Sequence, residues 1–154
     1  MIAAIRPGDV SVALFFHVAG AMMLVGTLLF VATTLLLGWR RTDPVDGVAL
    51  TRHGLRTFLI GVLPAYVVMR IGAQWTESAA DYPDSYSPTW LDVGYLVADA
   101  GALLVLIGVV VSAVGLRRLR TGGGVGLARA AGVLAAMLLV AYLVAVWAMS
   151  AKPG

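Results

Sequence analysis

Six side chains able to do chemistry sit inside runs that are otherwise apolar: His17, Tyr66, Arg70, Tyr95, Asp99 and Tyr142. Arg70 makes the strongest demand, because a permanent charge in hydrocarbon costs about 3 kcal/mol on insertion scales and more in simulations. Nothing beside it in "AYVVMRIGAQW", residues 65–75, offsets that cost. The simplest partner is Asp99, in "GYLVADAG", residues 94–101. Tyr66 lies four residues before Arg70, and Tyr95 four before Asp99, so each shares a helix face with the charge it precedes. Both hydroxyls are expected to complete the hydrogen bonding of the pair inside the bundle. Gln74 and Glu77 extend the Arg70 stripe, and Asp92 extends the Asp99 stripe. Otherwise Arg70 would snorkel to the headgroups along its apolar stem. His17 offers an imidazole either for a structural hydrogen bond or for axial ligation of haem b, with Arg70 near a propionate. A quinone is a further ligand for such a layer. Met69 and Met149 are candidate second ligands to a haem, although methionine at such positions is also ordinary core filler.

These side chains need elements that bring them to one level. The chain has 154 residues, 60% hydrophobic and 12% charged, against about 25% charged in a soluble domain. A soluble globule of this size could not hide that much apolar surface, so the reading is one integral membrane domain over residues 1–154. There is no cysteine, which excludes thiol redox chemistry and sulfur-ligated centres. Arg6 and Asp9 precede an apolar run too long for a secretory signal core. Four runs are long enough to span: about 10–38, 55–75, 90–116 and 127–149. Pro64 falls inside the second and should kink it. Trp39, Trp75, Trp90 and Trp147 fall near span ends, as an aromatic belt requires. The fold class is therefore all-α, a four-helix membrane bundle.

Charge orients it. Arg40, Arg41, Arg52 and Arg56 lie between or beside spans one and two, and Arg117, Arg118, Arg120 and Arg129 beside spans three and four. The middle loop holds Glu77, Asp81 and Asp84 and no basic residue. The positive-inside rule then puts the first and third loops in the cytoplasm, and the second loop and both termini outside. The expected location is a bacterial inner membrane. From the outer ends, Arg70 lies about 8 Å in, His17 and Tyr142 about 10 Å, and Asp99 about 13 Å, on four different helices.

Small residues suggest seams. Gly94, Gly101, Gly108 and Gly115 recur every seven residues in the third span, and Ala13, Gly20, Thr27 and Thr34 do so in the first. In lipid, close backbone approach drives association, so these rows are expected at helix contacts, with the two spans a candidate pair. "TGGGVG", residues 121–126, lacks the lysine of a P-loop and reads as a flexible hairpin. The three acidic residues of the middle loop match no EF-hand spacing. The arginines beside the spans suit lipid headgroups better than nucleic acid.

"FFHVAGAMMLVG", "PTWLDVGYLVADAG" and "VAVWAMSAKPG" together resemble a group of small bacterial four-span integral membrane proteins of unknown function. More distantly, a histidine early in the first span followed by small residues is similar to copper-resistance membrane proteins and to the membrane protoporphyrinogen oxidase group. The latter resemblance implies haem, with His17 as the matching residue.

The expected role is that of a non-enzymatic accessory or assembly subunit, without a cofactor or bound metal. Its partners would be the bilayer and other membrane subunits, or further copies of itself. A haem- or quinone-binding redox protein is the alternative. The orientation has a direct check: a reporter fused after Gly154 is expected to be active only outside the cytoplasm, and cytoplasmic activity would reverse the assignment.

Overall fold

A chain in hydrocarbon must satisfy its backbone hydrogen bonds within itself, which each apolar run does as a helix. The computed structural model describes residues 8–38, 44–80 and 88–151, without the side chains of Asp9 and Pro44. Trp39, Arg40, Arg41, Asp81 and Asp84, named above, lie outside the described residues. The helices are α1 (Gly8–Gly38), α2 (Pro44–Thr57), α3 (Leu63–Ala80), α4 (Thr89–Leu119) and α5 (Val125–Ala151). A π-helical turn, Phe58–Val62, joins α2 to α3. Among the described residues, four continuous helices are long and apolar enough to cross a membrane: Val10–Gly38, Val45–Ala80, Thr89–Leu119 and Val125–Ala151.

The second is longer than its apolar core, 55–75, suggested. Thr51, Gly54 and Phe58 are buried while Arg52, His53 and Arg56 are exposed. That spacing gives α2 one packed face, and Gly54 lies against the Leu35 side chain of α1. The packed face keeps a polar segment helical. The π turn explains how the helix passes Pro64. Proline has no N–H and its ring clashes with the carbonyl four residues back. Here the Leu63 N–H reaches back five residues to the Phe58 carbonyl, widening the turn just ahead of the ring. The widened turn also aims Phe58, fully buried, at α4.

The helices form two close pairs. In the first, α1 lies along α3, and in the second, α4 lies along α5. Gly20 faces the backbone of Met69, and Gly72 faces the backbone of His17, so α1 and α3 touch main chain to main chain. On α4, Gly94 faces Met149, Gly101 faces Tyr142, and Gly115 faces Leu127 and Ala128. Gly108 accepts the ring of Phe58 beside Leu134. The glycine row of the third span therefore packs on α5 and the π turn, whereas in the row of the first span Gly20 packs on α3 and Thr27 on Gly61 of the π turn. The two rows do not meet each other, because α1 and α4 are diagonal in the bundle.

The pairs join toward the end that carries the first and third loops. There Gly132 of α5 packs on Leu35 of α1, and α4 rests on α2 and the π turn. Toward the other end, which carries the second loop, α3 and α4 barely approach. The turn after α4 is defined, not a loose hairpin: Gly123 N–H donates to the Arg118 carbonyl, and Gly122 and Gly124 take positive φ of 87° and 84°. Only glycine adopts that conformation cheaply.

Gly20→Ala is expected to destabilise the protein by about 1–3 kcal/mol, since a methyl group meets Met69 backbone that cannot move aside. Gly26→Ala has open space and is expected to be neutral or stabilising by up to about 1 kcal/mol. Melting temperatures in detergent check the contrast.

Candidate ligand-binding site

Divergence of the two pairs leaves a cavity of about 650 Å³ in the loop-two half, lined from all four membrane helices. His17, Arg70, Asp99 and Tyr142 each lie nine or ten residues from the loop-two end of their helices, which puts them in one layer. At 31 residues, α4 is about 46 Å long against a hydrocarbon core of about 30 Å. A helix centred on that core places the layer about 6 Å below the hydrocarbon surface.

Arg70 and Asp99 form the ion pair, with Nη2 2.8 Å from Oδ1. They do not form it in the bundle interior. Asp99 is 64% exposed and Arg70 23%, so the pair bridges the outward face of the α3–α4 seam. Arg70 also lines the cavity, and Asp99 does not. Its level near the hydrocarbon surface makes that exposure tolerable, since the polar headgroups are close.

The tyrosines do not complete the pair. Tyr66 donates to the Ala98 carbonyl at 3.3 Å. Tyr95 donates to Glu77, and its ring centroid lies 5.2 Å from the Arg70 guanidinium carbon. A rigid ring carries the tyrosine hydroxyl beyond its near neighbours, so each reaches across to the facing helix. The result is a polar clasp of Arg70–Asp99, Tyr66–Ala98 and Tyr95–Glu77. It closes the seam where the backbones stand apart. Each link crosses between α3 and α4.

His17 is held from its other side. Nδ1 lies 3.1 Å from the Met69 carbonyl. A carbonyl only accepts, so Nδ1 carries the proton, and in the neutral ring Nε2 keeps its lone pair. His17 lines the cavity, and among the described residues no protein donor to Nε2 is found. The bond exists because Gly20 and Gly72 let α1 approach α3. Tyr142 is 4% exposed, with its hydroxyl against Gly101 and no hydrogen-bond partner among the described residues. Sequence spacing reaches the layer but missed the role of Glu77 as the acceptor for Tyr95. Its place seven residues after Arg70 on the same stripe was the available signal.

A metal ion and a haem make different demands on this donor set. Among the described residues no three His, Asp or Glu converge. A haem would find one ligand in His17, whose Nδ1–H to a carbonyl is the usual support for a ligating imidazole. The opposite side fits poorly. Met69 is packed into the core, and Met149 seats its methyl end at Gly94. His53 lies at the far end, bonded to the Ala49 carbonyl. No family model, curated protein or solved structure matches the chain.

Removing either member of the ion pair strands the other. Arg70→Leu and Asp99→Leu are each expected to lower thermal stability, and the double variant to recover part of the loss. A coupling of about 0.5–3 kcal/mol in a double-mutant cycle is expected. Recovery stays incomplete because Arg70→Leu also removes the contact with the Tyr95 ring. Additive effects would show that the two charges do not act as a pair.

Proposed function

We propose that this protein is a bacterial inner-membrane protein that binds a small, mostly apolar molecule in the loop-two half of its bundle, on the outer side. The observation that carries the reading is the cavity of about 650 Å³ among all four helices. Ligand sites are commonly apolar hollows of about 300–1,000 Å³ with a few convergent polar groups. The polar residues that line this cavity include His17, Arg70, Tyr95 and Glu77, and Tyr142 on α5, so they come from all four walls. Binding, with no bond made or broken, is all that these groups require. Arginines beside the first and third loops support an outward-facing cavity. A role as an accessory subunit rests on the apolar outer faces of the helices, and lipid covers such faces equally well.

Filling the hollow tests the proposal. Ala73 lines it, whereas Val67 on the same helix is exposed on the lipid side. Protein purified in mild detergent is expected to carry a co-extracted small molecule that organic extraction and mass spectrometry detect. Ala73→Trp is expected to reduce that molecule at least about tenfold while keeping its melting temperature within a few degrees. Val67→Trp should retain it. Equal recovery from both variants, or no bound molecule in the unaltered protein, would defeat the reading.

A further inference from the structure

The cavity is not walled equally on all sides. Between α3 and α4 the polar clasp closes it. Between α1 and α5 the residues that line it are also open to the surroundings: Val18 and Met22 on one helix, Leu143 and Val146 on the other. Met22 is 71% exposed. These four side chains are apolar, and they form a sideways mouth at hydrocarbon depth. A molecule passing through such a mouth comes from the lipid, so it is lipid-soluble.

Inside, the charged groups are already engaged. Arg70 is neutralised by Asp99 at 2.8 Å, and Glu77 holds the Tyr95 hydroxyl. A charged head would have to break one of these links, which favours a neutral head. His17 is different. Its Nδ1–H is spent on Met69, and the Nε2 lone pair remains as an acceptor within an apolar chamber. An acceptor in largely apolar surroundings gains from a hydrogen bond, and a hydroxyl on the ligand can supply the donor.

Resting on the ligand-binding reading above, we infer that the ligand is a lipid-soluble alcohol or phenol that enters between α1 and α5 and donates its hydroxyl hydrogen to His17 Nε2. The chamber takes the apolar body and the histidine reads the head. A molecule of the same shape without the O–H fits the chamber but leaves the nitrogen unpaired.

The experiment uses para-nonylphenol and its methyl ether, which differ in the one hydrogen at issue. Each is titrated into the full-length protein in detergent, and occupancy is followed by native mass spectrometry. The phenol is expected to bind about tenfold more tightly than the ether, the worth of one net hydrogen bond. In His17→Phe, folded as judged by its melting temperature, the two should bind alike. The comparison in the unaltered protein stands even where that variant fails to fold. Equal binding of phenol and ether to the unaltered protein would overturn the hydroxyl assignment and leave the cavity reading intact. Failure of both to bind would defeat both. A Soret absorption band that His17→Phe abolishes would show an iron on the histidine and would overturn the hydroxyl assignment as well.

Discussion

The main-chain approach of α1 to α3 is the constraint on which the remaining structure depends. Between helices in lipid there is no hydrophobic driving force, so association relies on van der Waals contact and buried hydrogen bonds. Both require closeness, and a single methyl at Gly20 or Gly72 would deny it. Because these positions lack a side chain, Met69 and His17 come together along their backbones. The His17 hydrogen bond to the Met69 carbonyl is then within reach. One packing event thus fixes the helix pair and orients the imidazole at the wall of the cavity.

The second pair, α4 and α5, uses the same device with a different partner for each glycine. Met149, Tyr142, Phe58 and Leu127 each occupy the space that a glycine of α4 leaves. Two tight pairs joined at one end must separate somewhere if their axes are not parallel, and they separate toward the second loop. The cavity is the consequence. What keeps α3 and α4 from drifting apart there is side-chain chemistry across the gap, from Tyr66, Arg70, Tyr95, Glu77 and Asp99. The charge at position 70 is therefore offset twice, by a carboxylate and by an aromatic face. It sits where the headgroup region also helps.

The layer itself was legible in the sequence, because helical rise alone sets depth. His17, Arg70, Asp99 and Tyr142 could be placed at one level from span ends, and Arg70 with Asp99 could be matched by charge. The hydroxyl partners were not legible. Spacing of four residues says that Tyr66 and Arg70 share a face, but says nothing about which helix that face meets. Tyr66 instead finds a backbone carbonyl of α4, and Tyr95 finds Glu77. The side of the seam on which the ion pair lies was likewise out of reach. So was the pairing of small-residue rows: a period of seven marks a seam without naming the helix on its other side.

By itself the sequence determined four apolar helices, the ends at which their charges collect, and the common level of His17, Arg70, Asp99 and Tyr142 along them. Those follow from local quantities: transfer free energy, rise per residue and the cost of unpaired backbone in hydrocarbon. Only the tertiary structure decided that α1 pairs with α3 and α4 with α5, that the pairs part to leave a chamber, and that His17 lines it with Nδ1 bonded to the Met69 carbonyl. These depend on which surfaces interlock at van der Waals distance, and that complementarity belongs to helices in pairs, so no single stretch of chain contains it.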